Sequence, residues 1–172
     1  ITLGVIAIVL STAVPGIGSM IKDNALANQL NTLVTHIHYA RTEAARRDVR
    51  VILCRSTSAN ATTPACGGDT QVWESGYLVF ADDGSNSNDV YNAGTDILLA
   101  RGQAAATGIR MRTNSTWNRN LQFNPDGTTN ESGSTAIMAL CDSRGQPHGR
   151  VIQVAANGIA RMYADNIASC TP

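Results

Sequence analysis

The sequence predicts an α+β fold in which one long amino-terminal helix precedes a run of short strands. Three observations predict it. No charged residue occurs from Ile1 through Ile21. Apolar residues then recur at steps of four and three from Leu26 to Ala44. Beyond Arg50 the period shortens to alternation, interrupted by Gly-, Asn- and Pro-containing turns.

The first stretch is apolar on every side: Ile1, Leu3, Val5, Ile6, Ile8, Val9, Leu10 and Val14 leave no polar face. A helix of about 20 such residues reaches across the hydrocarbon core of a bilayer. Gly4, Gly16, Gly18 and the mid-segment Pro15 are poor helix formers in water that membrane helices tolerate, and Pro15 removes one backbone donor. A cleavable secretory signal competes for this stretch. Against it, no basic residues precede the run and no turn separates it from the next segment. Leu26, Leu30, Leu33, Ile37, Ala40 and Ala44 continue it as a single stripe, with Lys22, Asp23, Asn28, Asn31, Arg46 and Arg47 largely off that stripe. The expectation is one helix of about 45 residues, roughly 65–70 Å long. Residues 1–24 form an apolar stem and residues 25–172 a head, into which the helix continues to about residue 50.

In the head, Val49, Val51 and Leu53 alternate into Cys54 as a first strand, and Trp73 to Phe80 reads as a second. Short strands are expected at 97–100, 109–112 and 121–123, then at 136–141, 149–155 and 159–163. Asn124-Pro125-Asp126-Gly127 and Asn157-Gly158 are turn signals. Cysteines stand at positions 54, 66, 141 and 170, without the close CxxC spacing of a zinc knuckle or a dithiol redox site. Three pairings are open. The sequence-local one, Cys54 with Cys66 and Cys141 with Cys170, would close one loop and tie down the tail, each bridge contributing about 3 kcal/mol in a chain-entropy account. Disulfides place the head in an oxidising compartment.

Only 5% of residues are aromatic and 15% charged, which implies a modest core wrapped in polar turns. Formal net charge is zero, so no overall field favours nucleic acid or anionic lipid. Asp82, Asp83, Asn86, Asn88 and Asp89 gather enough oxygens for calcium, but they miss the EF-hand spacing and match the content of an exposed turn. His36 and His38 lie two apart on the helix and face different ways, and His148 sits in a turn. With no nucleophile beside them, neither an enzyme nor a cofactor is expected. Arg41, Arg46, Arg47 and Arg50 form a basic band where the helix ends, suited to the negative helix terminus or to a solvated or subunit-pairing face. Arg144, Arg150 and Arg161 are candidate phosphate contacts if the last strands bring them together. Trp73 and Tyr77 are expected as core anchors.

The stem with Pro15, the helix segment Tyr39-Ala40-Arg41-Thr42-Glu43-Ala44, the strand Val51-Ile52-Leu53-Cys54 and the run Trp73-Glu74-Ser75-Gly76-Tyr77-Leu78-Val79-Phe80-Ala81-Asp82 occur in a telling order. Phe123-Asn124-Pro125-Asp126-Gly127, Leu140-Cys141 and the tail Cys170 complete it. In this order and spacing the chain resembles the GspH/FimT group of type IV pilins and type II secretion pseudopilins. The resemblance implies a type IV pilin fold: a long amino-terminal helix packed on a small antiparallel β-sheet head, with two disulfides.

It further implies a structural subunit of a type IV pilus-like extracellular filament, assembled by packing of its stems. The alternative is a minor pilin or pseudopilin that primes or tips a pilus or secretion pseudopilus, with DNA uptake as a further role. The implied partners are copies of itself or other pilins, the bacterial inner membrane before assembly, a prepilin peptidase and the assembly machinery. The implied destination is an extracellular pilus or a periplasmic pseudopilus. Family members begin with a segment of the type Phe-Thr-Leu-Ile-Glu-Leu, with a methylated amino terminus. Setting Pro15 on the family's stem proline leads us to expect roughly seven mature residues before Ile1. DNA-binding members carry Gly-Arg-x-Arg near the tail. Here the matching stretch is Gly158-Ile159-Ala160-Arg161, which keeps the second arginine alone.

Overall fold

A computed structural model describes residues 2–82, 89–115, 117, 119–130, 135–145 and 148–163, with side chains from residue 17 onward. Helix α1 runs unbroken over Thr2–Arg47. The predicted stripe is its buried face: Leu26, Leu30, Leu33, Ile37, Ala40 and Ala44 are each at most 7% exposed. Asp48, at φ 56°, ends the helix in a left-handed turn.

Among the described residues, eight strands come after the helix: β1 (Arg50–Arg55), β2 (Tyr77–Asp82), β3 (Ile97–Gly102), β4 (Arg110–Thr113), β5 (Asn120–Phe123), β6 (Ala136–Cys141), β7 (Arg150–Val154) and β8 (Ala160–Tyr163). The small sheet expected from the sequence is two antiparallel four-stranded sheets, ordered β3-β2-β1-β5 and β4-β6-β7-β8. Short ties join them. Val72 bridges to Arg112, the Trp73 amide donates to the Met111 carbonyl, and the Thr129 amide donates to the Ala156 carbonyl at 2.8 Å.

One core fills the space between the helix and the two sheets. Val51, Leu53, Tyr77, Val79, Leu121 and Phe123 meet the helix stripe from one sheet, and Met111, Met138, Leu140, Ile152 and Val154 from the other. Strands β1 and β2 are buried almost throughout, because their outer face is covered too. There Ile52, Cys54, Leu78 and Phe80 form a second cluster with Ala59, Cys66, Tyr91 and Leu98. The Cys54–Cys66 disulfide, with its Cα atoms 5.6 Å apart, holds the 56–70 loop over that cluster. Cys141 is not a free thiol, while its expected partner Cys170 lies outside the described residues.

The second strand begins at Tyr77, four residues later than expected. Gly76 turns the chain at φ 117°, and a Cβ there would stand 2.7 Å from the Gly102 carbonyl. Trp73 therefore lies before the strand, at the seam between the sheets. There it stacks edge-on against Trp117 at 5.5 Å, an anchor that the sequence pattern alone does not single out. Opposite Tyr77, a Cβ at Gly102 would come within 2.2 Å of the phenol ring.

Leu33→Ala should therefore cost about 2–5 kcal/mol by cavity formation. Gly102→Ala should cost about 1–3 kcal/mol by overpacking against Tyr77. Both are read as lowered midpoints in thermal melts of the full chain in detergent. An unchanged midpoint for Leu33→Ala would mean that the helix does not carry the core.

Candidate functional site

The helix carries two apolar faces of different fate. Leu26 to Ala44 face the sheets. Ile17, Met20 and Ile21 are 59%, 64% and 63% exposed. At about 100° per residue these three share one side of the helix, opposite the buried stripe, so the protein's own head cannot cover them. The positions expected to form a filament core, Ile1, Leu3, Val5, Ile6, Ile8, Val9, Leu10, Val14 and Pro15, have side chains outside the described residues. Among the described residues no helix is long and apolar enough to cross a membrane.

One guanidinium ties the β6–β7 connection to helix α1 around Ser19 and Asp23. Arg144, in the β6–β7 connection, donates to both carboxylate oxygens of Asp142, to Asp23 at 2.7 Å and to the Ser19 carbonyl at 3.3 Å. Lys22 adds a contact to Ser143, and His148 lies 3.9 Å from Asp23. The hydrogen bond from Arg144 holds the Asp142 and Asp23 carboxyls below their usual range and holds the guanidinium's own pKa high.

At the other end of the helix, Glu43 is 6% exposed and accepts from Arg46 and Arg47. Those bonds lower its pKa to about 2. Between the two ends, His36 Nδ1 lies 2.8 Å from the buried Tyr77 hydroxyl. Burial lowers the His36 pKa and raises that of Tyr77, which favours the neutral form of each.

Several expected sites are placed differently. The basic band is not a free face: Arg41 donates to the Gly127 carbonyl, Arg46 and Arg47 hold Glu43, and Arg50 is paired with Asp82 and Asp89. Arg144, Arg150 and Arg161 do not form one patch. Arg144 is engaged by two carboxylates. Arg150 falls on the inward register of Ile152 and Val154, whereas Arg161 lies opposite Gln153 on the outer one. Gly158 has a local role, since a Cβ there would meet the Gly127 carbonyl at 2.1 Å, beside Arg41. Of the calcium candidates, Asp82 is buried against Arg50 and Asp89 also faces Arg50, while Asp83, Asn86 and Asn88 lie outside the described residues. The described residues bring together no group of three or more metal-ligating side chains. Trp73 and Tyr77 are fully buried core residues.

With lowered pKa values, Glu43, Asp23 and Asp142 contribute stability that is present above their unfolded pKa values and lost as pH falls through the folded ones. The melting midpoint should hold above about pH 5 and drop as the pH approaches about 2. Glu43→Gln should flatten part of that drop, and a titration curve of the same depth as wild type would mean that Glu43 has no part in it.

The family model for the type II transport protein GspH matches residues 29–158. Two crystal structures of the Pseudomonas aeruginosa type IV minor pilin FimU are similar in fold. One is 17% identical, covers 88% of this chain and 98% of FimU, and has a TM-score of 0.60. The other is 16% identical, covers 84% and 98%, and has a TM-score of 0.56. No curated protein sequence matches significantly.

Proposed function

The chain belongs to the GspH family, within the GspH/FimT-like pilin group, and from that membership we propose that it is a structural subunit of a type IV pilus-like filament. The observation that carries this reading is the exposed row Ile17, Met20 and Ile21 on the side of the helix turned away from the head. A filament in which neighbouring stems pack against one another would cover that row, driven by exclusion of water and by helix–helix contact. On this reading residues 1–24 are the stem and 25–172 the head. The Arg144 joint holds the two in one orientation, so that the position of a stem in the filament sets the position of its head.

The precursor is proposed to rest in the bacterial inner membrane through its stem, to be processed by a prepilin peptidase and to be drawn into a surface or periplasmic filament. A low copy number is the second reading, favoured by the likeness to FimU, which is a minor pilin. The work of the chain is assembly, and no catalytic step is assigned to it.

Quantitative mass spectrometry of sheared, purified filaments separates the readings: dominant mass marks the building block, and a few copies per filament a priming or tip subunit. Met20→Asp with Ile21→Asp should leave stability within about 0.5 kcal/mol of wild type, since both positions are exposed. It should reduce incorporation by at least about tenfold, because a neighbouring stem would bury the new charges. Normal incorporation of that variant would overturn the role given to this face.

A further inference from the structure

A pocket of about 230 Å³ opens beside the Cys54–Cys66 disulfide, lined by Arg55, Gly67, Asp89, Val90, Arg119 and Asn120. It lies on the disulfide-stapled side of the head, apart from the Arg144 joint and from the exposed face of the helix. Two elements deliver its cations. Arg55 ends β1 and is 6% exposed, with its Nη2 donating to the Gly68 carbonyl. Arg119 precedes β5 and is exposed. The antiparallel pairing of β1 with β5, and the hydrogen bond from the Arg55 amide to the Arg119 carbonyl, bring the two residues side by side.

Arg55 and Arg119 both line the pocket and carry like charges, and the Arg55 charge is disfavoured first by burial and then by Arg119, with Asp69 opposing. The carboxylate on the pocket wall, Asp89, is directed to Arg50 at 3.5 Å. Asn120 adds a side-chain amide.

We propose that this pocket binds a phosphate-like oxyanion, held between the guanidiniums of Arg55 and Arg119. Guanidinium forks match the spacing of phosphate oxygens and can bond two at once. A tetrahedral oxyanion offers separate oxygens to two forks at once, which favours phosphate over a monocarboxylate. The inference does not depend on filament assembly, since the site lies within one head.

The test is calorimetric titration of the full chain in detergent with inorganic phosphate, at constant ionic strength and up to about 10 mM. Saturable binding is expected, with an affinity at least about tenfold lower in Arg119→Gln, which removes an exposed charge and should fold normally. Arg110→Gln, an exposed arginine on β4, should bind as wild type does. Glycerol 3-phosphate separates two sources of the group. Tighter binding of the ester than of free phosphate assigns the site to a phosphorylated surface molecule, and equal binding to the free ion. Absence of saturable binding, or equal binding by Arg119→Gln, overturns the proposal.

Discussion

Burial of one helical stripe holds this molecule together. Leu26, Leu30, Leu33, Ile37, Ala40 and Ala44 lie between two four-stranded sheets, each of which turns an apolar face to them. Burying a leucine or isoleucine contributes about 1.5–3 kcal/mol, so the four large side chains alone outweigh any single tie between the sheets. Among the described residues, the direct sheet-to-sheet links include those at Val72 and Arg112, at Trp73 and Met111, and at Thr129 and Ala156. Without the helix, two apolar sheet faces would be left to water. The Trp73–Trp117 contact lies at the seam and shares in the same core.

One side of the helix supplies the core between the sheets, and the filament contact proposed above would use the opposite side. The side that packs inward is consumed by the fold. The side bearing Ile17, Met20 and Ile21 is left over, and only another surface can cover it. The head then depends on staples elsewhere. The Cys54–Cys66 disulfide pins a loop across the outer cluster of Ile52, Leu78 and Phe80, giving the first sheet apolar cover on both faces in a small domain.

Charge is used sparingly and locally. Glu43 with two arginines closes the end of the helix, Arg50 joins β1 to β2 through Asp82, and Arg112 meets Glu74. Arg144, held by the neighbouring Asp142, ties the β6–β7 connection to helix α1 through Asp23 and the Ser19 carbonyl. These pairs orient elements whose packing is mostly apolar. Beside the disulfide, Arg55 and Arg119 are brought together by the pairing of β1 with β5 and line one pocket.

Features whose signal is local could be read from the order of residues alone. The helix stripe was legible because a 3.6-residue period puts every fourth or third residue on one face, and all six predicted positions are buried. Most strands and both Gly-containing turns were legible from alternation and from glycines at positive φ. The tertiary structure decided whatever depends on groups far apart in the chain. The division into two sheets rests on pairings such as β1 with β5 and β4 with β6, which no local pattern encodes. Trp73 fell outside its expected strand because the backbone at Gly76 approaches the distant Gly102. Arg144 read as a candidate phosphate contact because its partner Asp23 lies 121 residues earlier, and Trp117 had no flanking periodicity to mark it as core. Local period chooses the elements. The meeting of their side chains, fixed once the helix stripe is buried, chooses their roles.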